Sequence, residues 1–352
     1  DNDGNGGNGN GNEIENGTIL KGTITSDVTL AAGNTYKLSG EYIVEEGGTL
    51  HIEEGVKIIA VYDDIADYIL VKQGGKINAV GTPDKPIVMT SEKEEPGAWG
   101  GIHICGRAHT NAEGGKGSSE IGGAVYGGND DADNSGTLQY IRLEYTGFAF
   151  DEEHEANGIS FYGVGNGTIV DHCQAYKGSD DGFEFFGGSV NVSNLVAVSC
   201  SDDSFDWTEG WNGKGTNLVA YQEAESTLGY DCDCLMECDN NGSNNAATPV
   251  AHPVLKNLIL VGNGGSKQGI RLRAGTEVEI DNAKVCGKGQ PLTVETALTE
   301  NALKNGTSKL TNITLTSELS SKEGIYTHAD FIAVTSNKVD ANLSYSSFED
   351  IR

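Results

Sequence analysis

Proline and methionine are scarce in this chain, with 6 and 2 among 352 residues. Segments that pair Ala, Leu, Glu and Lys at helical spacing are also few, which argues against a helical bundle. No stretch reaches the roughly 18 apolar residues of a membrane helix. Lysine and arginine total 23 against 52 acidic residues, a net charge of −29. Nucleic acid and anionic membrane surfaces both need a basic footprint, so neither is expected as a partner. No signal peptide is visible, which leads to the expectation of a mature form. The seven cysteines form no CxxC pair. Their odd number leaves at least one thiol unpaired. Cys232, Cys234 and Cys238 cluster at a spacing open to a local disulfide, and less readily to half of a zinc site. There is no nucleophile elbow, P-loop or dinucleotide fingerprint.

What is abundant is glycine, 50 of 352 residues. It punctuates short runs of Val, Ile, Thr, Tyr and Phe, the signature of strands and turns. Residues Asp1 to Asn12 are almost only Asp, Gly and Asn. Such a segment buries no core and reads as a flexible tether, taken here as residues 1–17.

Two acidic stretches are near-copies: Ser179-Asp-Asp-Gly-Phe-Glu-Phe-Phe186 and Ser201-Asp-Asp-Ser-Phe-Asp-Trp-Thr208. Their offset of 22 residues suggests a solenoid. Apolar pairs recur in register at Ile141/Leu143, Cys173/Ala175, Leu195/Ala197, Leu218/Ala220, Leu258/Leu260 and Ala283/Val285. Asn194, Asn217, Asn257 and Asn282 precede the last four pairs, as in a stacked side-chain ladder; His172 fills the same position one coil earlier. A second series runs Ile159/Phe161, Phe183/Phe185, Phe205/Trp207, Tyr230/Cys232, Ile270/Leu272 and Leu292/Val294. Alternate side chains of a strand face opposite sides, so the residue between each pair points outward. Those residues are Ser160, Glu184, Asp206, Asp231, Arg271 and Thr293, at steps of 24, 22, 25, 40 and 22 residues. The long step implies an insertion, placed at Glu237 to Pro253.

The fold expected is all-β: a single-stranded right-handed parallel β-helix with coils of about 22–25 residues. The hand follows the general rule for parallel crossovers rather than the spacing. The solenoid is expected over 18–307. Residues 308–352 lose the period and read as a C-terminal cap, since an open sheet edge invites aggregation.

Gly48-Thr-Leu-His-Ile-Glu-Glu-Gly-Val56, Gly74-Gly-Lys-Ile-Asn-Ala-Val-Gly-Thr82, Lys85-Pro-Ile-Val-Met-Thr90 and Trp99-Gly-Gly-Ile102 carry a family likeness. With the block from Asp180 to Gly210, they resemble secreted, pectin-lyase-like parallel β-helix surface lipoproteins of Gram-negative gut commensals. The likeness spans about Ile19 to Val294. It implies a secreted protein at the outer-membrane surface, touching the membrane only through an N-terminal lipid anchor, and acting as a monomer. More distantly, the architecture resembles pectate lyases and polygalacturonases, although the Gly-His-Gly element of the hydrolases is missing here.

The outward row carries the chemistry. Stacked strands lie roughly 4.8 Å apart. Two carboxylates at that distance repel by about 3–4 kcal/mol at an effective dielectric near 20, and less when exposed. Glu184, Asp206 and Asp231, with Asp181 and Asp203 at the adjacent corner, are the candidate metal ligands. Ca²⁺, which takes six to eight oxygens, is the candidate cofactor. Arg271 and Arg273 are alternative counter-ions. Three readings stay open: a solvated acidic face of a structural or adhesive protein, a calcium site serving glycan recognition, and a catalytic site. In the third, Arg271 acts as base in a calcium-assisted lyase, or Glu184 and Asp206 form the acid pair of a glycoside hydrolase. Trp207 is expected in the core. Trp211, at the following turn, is a candidate sugar-stacking surface with Tyr162 and Phe186, and Ser160 and Arg273 complete the candidate polysaccharide contacts. The segment Asp131 to Gly136 starts like a calcium loop but has Arg142 at the twelfth position, so an EF-hand is rejected.

Overall fold

The computed structural model describes residues 12–351. The chain winds through three parallel sheets. One runs from Asn12–Ile14 through Asp27–Leu30, Thr49–Ile52 and Lys76–Val80 into the first half of Gly136–Glu144. The second holds the strand halves that follow, such as Ile141 to Leu143 beside Cys173 to Ala175 and Leu195 to Ala197. The third stacks Tyr68–Val71, Ile102–Cys105, Ile159–Tyr162, Phe183–Phe186, Phe205–Thr208, Met236–Asp239, Gln268–Arg273 and Gln290–Val294. This is a right-handed parallel β-helix. Parallel strands that follow one another in space need exactly such a crossover path, because a two-residue hairpin joins only antiparallel neighbours.

One residue per coil makes the bend between the first two sheets. Tyr140, His172, Asn194, Asn217, Asn257, Asn282 and Asn312 all have φ between 51° and 67°. That left-handed conformation is costly for most side chains, and asparagine tolerates it best after glycine. The asparagines also bond to one another along the axis. Asn217 Nδ2 donates to Asn194 Oδ1 at 3.0 Å, Asn257 Nδ2 to Asn217 Oδ1 at 3.0 Å, and Asn282 Nδ2 to Asn257 Oδ1 at 2.9 Å. At the coils without asparagine, His172 instead stacks on Tyr140, ring centres 4.5 Å apart.

Inside, the repeated apolar positions stack like on like. Phe161 lies 4.9 Å from Phe185, and Phe183 5.6 Å from Phe205, with nearly parallel rings. Each such side chain contributes about 1.5–3 kcal/mol by leaving water. Trp207 is in this core, as its inward position requires.

The ends differ from the sequence reading in detail. Residues 1–11 of the expected tether lie outside the described residues, while Asn12–Ile14 already pairs with Asp27–Leu30. Near the other end, Lys309–Leu315 pairs in register with Glu279–Cys286, so coiling continues past residue 307. Closure there centres on Glu300 in the helix Ala297–Lys304. Its buried carboxylate accepts the backbone N–H groups of Glu323, Ile325 and Tyr326 at 2.8–3.1 Å. All seven cysteines are free and buried, so no disulfide forms at Cys232, Cys234 and Cys238, and among the described residues these three do not gather into one metal-sized group.

Candidate functional site

The outward row of the third sheet reads His103, Ser160, Glu184, Asp206, Glu237, Arg271 and Thr293. Asp231 is not in it. The strand that stacks on Phe205–Thr208 is Met236–Asp239, which places Glu237 beside Asp206 and Arg271. The true steps are 24, 22, 31, 34 and 22 residues, so extra chain enters on both sides of this strand. Asp231 sits in the first excursion, exposed, with Lys267 Nζ 3.2 Å from its carboxylate.

The corner before this row is a second stack. Asp181 N donates to Asn157 Oδ1 at 3.2 Å, Asp203 N to Asp181 Oδ1 at 2.9 Å, and Cys234 N to Asp203 Oδ1 at 2.9 Å. Each corner side chain thus accepts the first backbone N–H of the next coil. Row and corner converge. Ligand oxygens of Asp181, Glu184 and Asp206 lie within 4.8 Å of one another, and so do those of Asp203, Asp206 and Glu237. Asp206 belongs to both groups. Asp180, Asp181 and Asp202 form a third such group on the rim.

An inserted excursion shapes the surroundings. The hairpin pairing Gly117–Ser118 with Val125–Tyr126 folds over the third sheet. Beneath it a small apolar cluster forms outside the solenoid, including Leu70, Ile121, Tyr126, Tyr162 and Phe186. Three expectations are corrected here. Ser160 is fully buried, its hydroxyl accepting from Asn157 Nδ2 at 2.9 Å, and so offers nothing to a ligand. Tyr162 and Phe186 are buried too and stack on each other at 4.4 Å. Trp211 turns inward from its loop, stacks on Phe185 at 4.0 Å and donates Nε1–H to Val190 O, so it is core and not a sugar platform.

The charges divide sharply along the row. On the C-terminal side they are paired. Arg271 reaches Glu237 at 3.2 Å and Glu295 at 3.3 Å, and Arg273 reaches Glu237 at 3.1 Å and Asp239 at 2.7 Å. Burial opposes the charge on Arg271, but the bond to Glu295 and the nearby Glu237 hold its pKa up, so the guanidinium stays protonated as a counter-ion. On the N-terminal side, Asp181, Glu184, Asp203 and Asp206 have no basic ion-pair partner among the described residues. Burial, then repulsion from neighbouring carboxylates, pushes all four well above the usual carboxylate range. Asp180 rises to about 9 through burial and the nearby Glu155 and Asp202. Glu120, on the covering hairpin, rises to about 7 through burial and Glu155.

A family model for a pectate-lyase-like β-helix domain matches residues 22–350. The chain belongs to that family. No curated protein and no solved structure matches it. Within this pectate-lyase-like β-helix, four of the five candidate ligands come together: Asp181, Glu184, Asp203 and Asp206. Glu237 takes the place assigned to Asp231. The sequence held a usable signal, because Asp233-Cys-Leu-Met-Glu237 repeats the spacing from rim acid to row acid in Asp202-Asp-Ser-Phe-Asp206. Glu120 had no such signal, since it reaches the row from an excursion rather than from a coil.

The donor set of this site suits a hard cation. Opposite oxygen ligands of Ca²⁺ lie about 4.6–5.2 Å apart, at the upper limit of the spacing within each group. All donors in the two groups that share Asp206 are carboxylates.

Proposed function

We propose that this β-helix is a secreted, cell-surface protein that binds glycans, with Ca²⁺ held by Asp181, Glu184, Asp203, Asp206 and Glu237. The observation that carries the reading is the group Asp181, Glu184, Asp203 and Asp206, desolvated and without a basic partner among the described residues, with the arginine-paired Glu237 at its edge. Burying a charge without a partner is expensive, and the ways out are protonation or a cation. Family membership supports a carbohydrate ligand. When bound, calcium would offer a positive centre to the carboxylate or hydroxyls of a sugar. The protein's part is to fix the oxygens: Asn157 Nδ2 holds Glu184 Oε2 at 2.7 Å, and the backbone of the next coil holds Asp181 and Asp203. The N-terminal lipid anchor and Gram-negative surface location belong to the same proposal, resting on the motif likeness.

A hydrolytic reading draws on one further observation. Carboxyl oxygens of Glu184 and Asp206 lie within 4.8 Å of each other, closer than the roughly 6.5–9.5 Å that inverting glycosidases leave for a water, so the pair fits a retaining arrangement better. The burial that raises Glu184 also suits a general acid.

The deciding experiment is a calorimetric titration with Ca²⁺, then incubation with polyuronates and neutral polysaccharides. Calcium binding that Asp206→Asn abolishes is expected. No heat of binding and no melting shift at millimolar Ca²⁺ would overturn the metal site. New reducing ends would establish hydrolysis, and ultraviolet-absorbing unsaturated ends a lyase; either would displace simple binding.

A further inference from the structure

We propose that a second glycan site lies on the middle sheet, with Arg142 receiving the carboxylate of one uronic acid unit. It is separate from the acidic row and needs no cation.

Four arginines lie among the described residues of a chain whose net charge is −29. Arg107, Arg271 and Arg273 all hold carboxylates. Arg142 is exposed and forms no ion pair or side-chain hydrogen bond among the described residues. It stands on the outward row of the middle sheet, with Val88 on one side and Gln174 on the other. Beyond Gln174 the row continues as Val196 and Val219.

The surface around it is shaped. Two hollows, of about 350 and 430 Å³, share Arg142 and Gln174 as lining residues. Both volumes fall within the size range of small-ligand sites. The first ends at the stacked pair Tyr140 and His172. The second ends at Tyr176, Tyr221 and Phe348, with the last two rings 5.9 Å apart. The shared groove crosses four neighbouring strands, from Gly136–Glu144 to Lys214–Tyr221, or about 14 Å at the spacing of stacked strands, and reaches Pro83 and Pro86 beyond them. An extended oligosaccharide matches that length better than a single small metabolite.

The chemistry follows from the lining. A guanidinium fork pairs with a carboxylate through two parallel hydrogen bonds. The Gln174 amide supplies a donor and an acceptor for hydroxyls. The half-buried tyrosine rings give flat apolar surface with a polar edge. Glu349 lines the far end and would repel a second acid there, while Glu223 beside it is held by Lys177 at 3.7 Å. The site therefore selects one uronate flanked by neutral sugars over a continuous polyuronate.

The test uses the full chain in chelator, so that the acidic row plays no part. The probes are glucuronoxylan, oligogalacturonide and alginate fragments, the carboxyl-reduced form of each, and a glutamate-rich peptide. Calorimetry should show binding of at least one uronate fragment, glucuronoxylan tightest, and of neither the reduced forms nor the peptide. Arg142→Ala should weaken that binding about 10- to 100-fold, as expected for losing one or two hydrogen bonds to a charged group. Arg142→Lys should fall between, and Asp206→Asn should leave the affinity unchanged. Because Arg142 is exposed, melting of its variants should match the parent. The proposal fails if no uronate fragment binds, if Arg142→Ala binds equally, or if the reduced sugars or the peptide bind as tightly. Loss of binding in Asp206→Asn would show that the acidic row, not this groove, is the uronate site.

Discussion

Two corners of the same coils carry stacked polar side chains, and they behave oppositely. At one, Asn194, Asn217, Asn257 and Asn282 pass hydrogen bonds from amide to amide. At the other, Asp181 and Asp203 accept from the backbone of the next coil but, once ionised, have nothing to donate. An amide is both donor and acceptor, so a stack of amides satisfies itself and grows without accumulating charge. An ionised carboxylate only accepts, so a stack of them needs protons or cations from outside. The geometry of repetition is shared. The difference of one nitrogen for one oxygen turns a structural corner into a candidate ligand site. Asn157, which opens the acidic corner, marks the transition, for it still donates to Ser160 and Glu184.

Acid should separate the corners most strongly. Asp180, at about 9, and Glu120, at about 7, hold protons in the folded protein that the unfolded chain has lost. Their folded values lie above the unfolded ones. In chelator, stability should therefore be highest below about pH 4 as far as these groups decide it, and fall as pH rises towards 9. A thermal melt series that is flat or rises over that range would refute the desolvated state of the acidic corner. Calcium should come next. At a hundred times its Kd it should stabilise the protein by about 2.7 kcal/mol at pH 8, and chelator should remove the gain. Asn217→Ala attacks the neutral corner. It loses ladder hydrogen bonds and leaves a methyl side chain at φ 57°, a cost of about 2 kcal/mol in denaturant melts, the same with or without calcium. The smallest effect is Asp206→Asn in chelator, a gain of about 1 kcal/mol from relieved repulsion, together with loss of the calcium response.

The contrast also explains what could be read from sequence. The neutral corner was legible because its asparagines recur at a fixed place before each apolar pair, and the left-handed bend demands that residue type. The row from Glu184 to Asp206 was legible for the same reason, as no insertion falls between them. After Asp206 the alternation became ambiguous. Tyr230-Asp-Cys232 and Met236-Glu-Cys238 both offer an acid between two apolar residues, and only the strand pairing selects the second. Trp211 and Ser160 were misplaced for another reason. The direction of a side chain in a turn, and the cover over an outward residue, depend on where excursions fold back, and the hairpin near Val125 leaves no periodic trace.

The left-handed bend recurs at seven coils from Tyr140 to Asn312, although the chain between successive row strands varies from 22 to 34 residues. All the variation falls elsewhere on the circumference. The bend therefore acts as a hinge pin on which leaves of unequal width can be hung. The short helix Glu225–Leu228, largely exposed and outside every stacked strand, is a natural place to graft a foreign loop. By the same logic, new recognition surfaces can be traded among such proteins one excursion at a time, while the frame that presents them keeps its cross-section.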